Sequence, residues 1–399
     1  MTTTDIIIIG AGASGLLCAI EAGNRGRSVL VLDHEKKAGK KILMSGGGRC
    51  NFTNLSLSPE NYISRNPHFC KSALSRFTQW DFLAKIEQHK IPYHERDHGQ
   101  LFCDNSATEI LTMLLSECDR ANVELMLDTQ VTGIAQEEGI TREEGIGFTV
   151  TTPKGEFKSA SLVVATGGLS IPGAGATPFG YKIAEQFGIK VWPPSPGLVP
   201  FTLQPQDKER LAPLSGISVD AVVTCGPQSF RENLLFTHRG LSGPVILQIS
   251  SHWQPGETVT IDLLPGIDLV SLLKKAQQDH PKQQVKSMLV SLLPKRLVTA
   301  MVKKDLAEAQ LNSVSHPRFT ALEASLKQWK VKPGGTEGYR TAEVTKGGVD
   351  CDAISSKTME AQKVPGLYFT GEVLDVTGWL GGYNLQWAWS SGWVAGQFA

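Results

Sequence analysis

Three glycines stand at G-x-G-x-x-G spacing in Gly10-Ala11-Gly12-Ala13-Ser14-Gly15, directly after the apolar run Ile6–Ile9. Each has its own task in a dinucleotide site. Gly10 permits a tight turn, Gly12 lets backbone approach a pyrophosphate, and Gly15 allows a helix to pack closely on a strand. The backbone N–H groups of Ala13 and Ser14 open the helix that follows, and free donors with partial positive charge favour an anion there. Asp33 closes the next strand pattern. A carboxylate at that place accepts from ribose hydroxyls and repels a 2′-phosphate.

Three further glycine-rich patches fit a long dinucleotide. Ala165-Thr166-Gly167-Gly168 ends an apolar strand pattern and brings a second backbone turn to the same crevice. Gly371-Glu372 with Asp375, then Gly381-Gly382-Tyr383-Asn384, supplies carboxylates and the start of a second helix. Carboxylates suit ribityl hydroxyls, and a helix N-terminus stabilises negative charge on a reduced flavin ring. Lys41 and the loop Gly46-Gly47-Gly48-Arg49-Cys50-Asn51 form the last patch, where glycine N–H groups crowd a phosphate or ring and Cys50 and Asn51 face it. Val131, at the end of the strand pattern 123–131, completes the candidate cofactor set. The expected cofactor is therefore FAD. Gly173-Ala174-Gly175-Ala176-Thr177 lacks a third glycine at the right offset, so no second nucleotide domain is expected. NAD(P)H is the expected reductant, stacking transiently on the flavin.

His94-Glu95-Arg96-Asp97-His98 spells H-E-x-x-H. Zinc binding by that motif needs both histidines on one helix face. Pro92 before it and Gly99 after it read as strand and turn, so no metal site is expected. The seven cysteines form no C-x-x-C pair, which reads as reduced thiols.

The elements that must position these residues follow from pattern. Residues 5–10 read as a buried strand, 16–25 as a helix and 28–32 as a second strand, a βαβ unit of about 30 residues. Residues 34–61 read as loop, 67–90 and 105–121 as helices, and 123–131, 147–151 and 156–165 as strands. Pro193, Pro194, Pro196 and Pro200 mark a boundary. Short strands then run to about 264, residues 268–330 are helical and lysine-rich, strand texture returns at 341–349, and a helix begins near 384. The fold class is α/β, a Rossmann-type domain of residues 1–190 and 345–399. The insertion is β-rich over 191–267 and 331–344 and helical over 268–330.

The 399 residues, 41% hydrophobic and 20% charged with zero net charge, exclude long disorder and a small disulfide scaffold. No apolar run approaches the ~20 residues of a membrane span, and the short opening run is no secretory leader. The expected location is the cytoplasm. The sequence carries no signal for an oligomeric state.

Four stretches resemble the YhiN/RdsA family of bacterial flavoproteins, to which BaiN-type enzymes are also similar. They are Lys41–Asn54, Leu235–Pro244, Gly338–Thr345 and Gly381–Asn384 with Gln386–Trp389. The resemblance spans nearly the whole chain. It implies FAD on a Rossmann-type FAD-binding domain, an inserted β-barrel-like domain and a small helical subdomain. It also implies an RdsA-type activity, reduction of a uridine in large-subunit ribosomal RNA to dihydrouridine. The alternative, on the BaiN side, is reduction of a small enoate or steroid double bond. A flavin-binding protein with no catalytic turnover is the third class.

Charge distribution permits RNA. Residues 270–332 carry twelve Lys or Arg against four Asp or Glu, a net +8. Lys274, Lys275, Lys286, Lys295, Arg296, Lys303 and Lys304 are the candidate phosphate contacts. Uridine reduction also needs a proton donor with a suitable pKa. Cys50 is the first candidate, because its loop approaches the flavin, and His238 the second; Cys103 reads as packed. Trp379, Tyr383, Trp387 and Trp389 offer faces for an unstacked base, the last two reading rather as core.

Overall fold

Four consecutive isoleucines with no polar alternation, Ile6–Ile9, demand burial on both faces, and all four are 6% exposed or less. They end the strand Thr2–Ile9 of a mainly parallel sheet. In this computed structural model, which describes residues 2–138 and 145–399, the chain divides into two compact units. The first comprises Met1–Ser195 and Val344–Ala399, the second Pro196–Glu343.

In the first unit, Thr2–Ile9 lies between Val29–Leu32 and Gly155–Val164, parallel to both. Glu124–Met126 extends the sheet beside Val29–Leu32. Gly155–Val164 is long enough to serve two partners. Its first half pairs antiparallel with Gly147–Thr152, and Leu162–Val164 pairs parallel with Leu367–Phe369. Ile9, Leu32, Val164 and Phe369 thus end side by side, which is where open α/β sheets place their ligands. The helix Ala13–Asn24 crosses over the sheet and packs on the C-terminal helix Tyr383–Phe398. Glycines make that approach close: a Cβ at Gly392 would fall 2.3 Å from Ser14 O, and one at Gly396 2.7 Å from Cys18 O.

The second unit is built on seven antiparallel strands. Their spatial order is Trp329–Val331, Val259–Asp262, Ser218–Cys225, Gln228–Phe236, Gly240–Ser242, Phe201–Leu203 and Pro333–Thr336. The two outer strands of that order are joined in sequence by Lys332 alone, so the sheet curls round on itself as a barrel-like layer. Phe201, Val223, Phe236 and Ile261 fill it with Leu273, Phe319 and Leu326 of the helices between Leu269 and Lys327. Among the described residues no helix is long and apolar enough to cross a membrane.

Candidate functional site

The first glycine loop closes as its spacing requires. Gly10 takes φ +113°, and a Cβ there would meet Ala165 O at 2.4 Å; a Cβ at Gly15 would meet Gly10 O at 1.9 Å. Gly12 is different: nothing lies within 4 Å of its Cβ position, so its backbone faces open space. No side chain caps the helix that starts at Ala13, leaving the N–H groups of its first turn, including Ser14, for a ligand. Asp33 stands across from this loop. Its Oδ2 accepts the Ala11 N–H at 2.7 Å and its Oδ1 the Glu35 N–H at 2.8 Å, which leaves further lone pairs for hydroxyls. Thr129 N–H bonds Asp33 O at 2.8 Å, which brings the buried Val131 into the same corner.

The second turn, after Val164, is assembled from four chain segments. Lys41 Nζ pairs with Glu372 and donates to Ser170 Oγ at 2.8 Å. Glu372 Oε1 accepts from Ser170 Oγ at 3.0 Å and from the Thr345 N–H at 2.8 Å. Thr345 Oγ1 accepts the Leu169 and Ser170 N–H groups at 2.8 and 3.1 Å. A Cβ at Gly168 would fall 2.5 Å from Thr345 Oγ1, so only glycine passes under this cluster. Gly167, at φ +70°, faces open space. Thr166 turns its hydroxyl the other way: it sits 2.1 Å from the Cβ position of Gly180 and is buried without a partner. Thr370 Oγ1, at the end of the neighbouring strand, is likewise buried and unpartnered.

Two side chains expected beside Glu372 are used elsewhere. Asp375 is 4% exposed and faces Arg65, accepting its N–H at 3.1 Å with the guanidinium 3.8 Å away. Its own N–H bonds Val349 O, and burial raises its pKa above the usual carboxylate range. Asn384 folds back before its helix, accepting the Gly378 N–H at 2.8 Å and donating to Gly378 O and Trp379 O. It clamps the turn rather than pointing out of it.

The third patch is a short helix, Lys40–Met44, followed by a coil of left-handed glycines, Gly46, Gly47 and Gly48. Gly47 faces open space, whereas Gly46 packs on Asn51 N and the Phe102 ring, and Arg49 is exposed. Cys50 also adopts a positive φ, +48°, and is wholly buried. Burial pushes its thiol up to about 12, against a lowering hydrogen bond from Ser45. The thiol therefore faces the interior, not the cleft expected from the loop. Cys103, its neighbour on Gln100–Cys103, is raised to about 12 by burial and then by Cys50.

This loop leads into the strand Asn51–Asn54, which supports the start of the C-terminal helix. With its amide oriented to satisfy both ends, Asn51 donates to Leu101 O and Thr53 O and accepts the Gly382 N–H, each at 3.2 Å. Asn54 Nδ2 donates to Gly381 O at 2.8 Å and His98 O at 3.1 Å. A Cβ at Gly382 would lie 2.4 Å from Thr53 O. Trp387 and Trp389 are core residues, their indole N–H groups bonded to Gly371 O and Phe52 O. Ser170 and Gln100, which packs 3.2 Å from the Cβ position of Gly381, carry no sequence signal as site residues; Asn54 and Thr345 carry one only as the last residues of the Lys41–Asn54 and Gly338–Thr345 stretches.

The H-E-x-x-H segment is the strand Tyr93–Arg96 and a turn, with His94 bonded to Asp104 at 2.6 Å. Among the described residues no group of three or more His, Cys, Asp or Glu is placed to hold a metal. In the second unit, His238 is exposed at a hairpin tip. Lys274, Lys275, Lys286, Lys295, Lys303 and Lys304 are exposed on successive short helices, while Arg296 donates to Pro213 O. The unit carries seventeen basic and thirteen acidic side chains.

Residues 4–398 match the family model described as HI0933-like protein Rossmann domain. The chain belongs to that family. It is 55% identical over 399 residues, all of this chain and 98% of the relative, to a ribosomal RNA dihydrouridine synthase of Escherichia coli (strain K12). A protein of the same description from Haemophilus influenzae is 54% identical over 97% of this chain and 96% of the relative. A 3-dehydro-bile acid delta(4,6)-reductase of Clostridium scindens is 30% identical over 98% of each. Among solved structures, a 3-ketosteroid-delta4-(5alpha)-dehydrogenase from Rhodococcus jostii RHA1 superimposes with a TM-score of 0.50 at 13% identity, covering 99% of this chain and 97% of that one. That likeness is one of fold, an α/β Rossmann-type fold.

Proposed function

We propose that this protein is an FAD-dependent oxidoreductase that reduces a uridine of large-subunit ribosomal RNA to dihydrouridine. The observation that carries the reading is 55% identity over the full chain to a protein of that activity, against 30% for the bile-acid reductase. The cleft fits FAD on its own chemistry. Gly12, Gly47 and Gly167 come from three segments, and nothing of the protein lies within 4 Å of the Cβ position of any of them, which leaves their backbone free for a ligand to approach. Two helix starts, at Ala13 and Tyr383, carry no side-chain cap. In this reading Gly10, Gly12, Ala13, Ser14 and Gly15 hold the pyrophosphate and Asp33 a ribose, with Val131 beside it. Thr166 to Gly168, Gly371, Glu372 and Lys41 line the ribityl region. Gly46, Gly47, Arg49, Asn51, Gly381 and Gly382 surround the ring.

Reduced FAD supplies the hydride for the uracil double bond. The protein supplies the proton, and Cys50 is the donor in this reading, with His238 the alternative. Burial keeps the thiol protonated at rest, and leaving burial lowers its pKa toward the ordinary thiol range that proton transfer needs. Because it is buried, donation requires the loop of left-handed glycines beside it to shift. The division into a FAD-binding part (1–190 and 345–399), a β-rich insertion (191–267 and 331–344) and a basic helical part (268–330) belongs to the same proposal. The helical part binds RNA phosphates, the location is the cytoplasm, and NAD(P)H is the reductant. The test is mass spectrometry of ribosomal RNA from a strain lacking this protein. One uridine is expected to lose a two-dalton increment, restored by the purified holoenzyme with NADPH. An unchanged nucleoside profile rejects the reading.

A further inference from the structure

Of the stretches that carry the family resemblance, Leu235–Pro244 lies within the second unit, and Gly338–Thr345 follows that unit's Glu337 before Thr345 joins the Glu372 cluster. Arg239 and Glu337, 98 residues apart, form an ion pair at 3.0 Å. The strand register explains why. Phe201 pairs with Leu241 on one side and with Thr336 on the other, so the hairpin tip after Phe236 and the segment after Thr336 emerge at the same end of the sheet.

The tip is rigid. Thr237 Oγ1 accepts the N–H groups of Arg239 and Gly240 at 3.2 and 3.0 Å, and Thr237 N–H donates to Gly240 O at 2.9 Å. A Cβ at Gly240 would lie 2.1 Å from Phe201 O, and Gly243 takes φ +87° against Asn233 O. The turn is thus fixed from below, and it displays only two long side chains, His238 and Arg239. Glu337 is fixed too, its N–H bonded to Pro200 O at 3.0 Å and its carboxylate 10% exposed. It spends one acceptor on a single Arg239 nitrogen. The Arg239 side chain is 41% exposed and its guanidinium has five N–H donors, so most of its fork remains free. Arg340, exposed three residues beyond Glu337, adds a second cation at this end of the unit.

A planar donor fork held in place by a carboxylate matches a phosphodiester oxygen pair. Fixing the side chain beforehand removes part of the entropic cost of the contact. We propose that Arg239 grips a backbone phosphate of the RNA substrate, with His238 beside it and Glu337 as the residue that positions the guanidinium. The inference rests on the rRNA reading above and adds a contact outside the lysine-rich helices.

The test uses the FAD-loaded full-length protein, with large-subunit ribosomal RNA from the deletion strain as substrate. Arg239→Gln removes both the charge and the fork. It is expected to raise KM for RNA about tenfold with kcat held, and to reduce the salt dependence of RNA affinity by about one phosphate contact. Glu337→Gln, which frees the guanidinium, is expected to raise KM several-fold and decides the matter if the first variant fails to fold. FAD content and melting temperature report folding. If wild type makes dihydrouridine while both folded variants keep its KM and salt slope, the assignment of Arg239 is overturned and the rRNA reading stands. If wild type makes none, the rRNA reading falls and this contact with it.

Discussion

Lys41 and Glu372, 331 residues apart in sequence, are ion-paired at the heart of the first unit. Ser170 and Thr345 complete the cluster, so four separate stretches meet on one carboxylate. The pair is partly exposed, with Lys41 at 34% and Glu372 at 18%, and so is screened by water. Lys41→Met should therefore cost only about 1 kcal/mol of stability. Its larger effect should fall on the cleft wall: FAD should dissociate about ten times more readily. Titration of the apoprotein with FAD measures this, and unchanged affinity would remove Lys41 from the cofactor set.

Cys50 provides a sharper contrast. Its thiol is buried, strained into a left-handed backbone and held protonated. Cys50→Ala removes the sulfur and little volume. The expected variant binds FAD and is reduced by NADPH, yet leaves uridine intact. Turnover equal to wild type would show that Cys50 only packs, which is the common fate of a buried free thiol.

The first βαβ unit was legible because its glycines serve local geometry, and local geometry is written in spacing. The Lys40–Met44 helix and the Asn51–Asn54 strand lie where the pattern over 34–61 reads as loop. The helix is five residues long, and the strand exists only through its pairing with Gln100–Cys103. Pro244–Ser250, an apolar run in a region of strands, is a helix buried against the barrel-like sheet, a case of tertiary packing overriding pattern. The same limit governs the site. Glu372 was found from its motif, but the neighbours that fix its direction, Ser170 and Thr345, come together only in the fold. Asp375 and Asn384 have site-like residue types, but their side chains hold Arg65 and the Gly378 turn.

Burial of the cysteines sets an alkaline limit on stability. Cys50, Cys103 and Cys118 are raised from 9.0 to about 12 and Cys70 to about 11, chiefly by burial, and Cys18 and Cys351 are raised further. A folded thiol with a raised value keeps its proton where the unfolded chain releases it. The stability it contributes is whole below 9.0 and is lost as pH climbs toward 12. Each such thiol subtracts about 1.4 kcal/mol per pH unit once ionised in the unfolded chain. The urea midpoint, measured in reductant, should hold level to about pH 8.5 and then fall steeply by pH 10. A level midpoint across that range would mean the thiols are not buried as described.

Gly12 and Gly15 separate binding from folding within one turn of helix. Gly12 has φ −89° and ψ −169°, backbone that alanine adopts freely, and open space where a Cβ would stand. Gly12→Ala should fold with a melting temperature close to wild type. Its methyl group would occupy the approach to the pyrophosphate, so FAD affinity should drop tenfold or more, by about the 1.4 kcal/mol of one lost charge-assisted contact. At Gly15 the added Cβ would fall 1.9 Å from Gly10 O and 3.2 Å from Ala165 Cβ, so helix and strand must part. Gly15→Ala should lose about 1–3 kcal/mol or more of stability, and FAD with it. Thermal melts with and without FAD distinguish the two. A Gly12→Ala protein that is yellow and binds FAD as wild type does would move the pyrophosphate away from this loop.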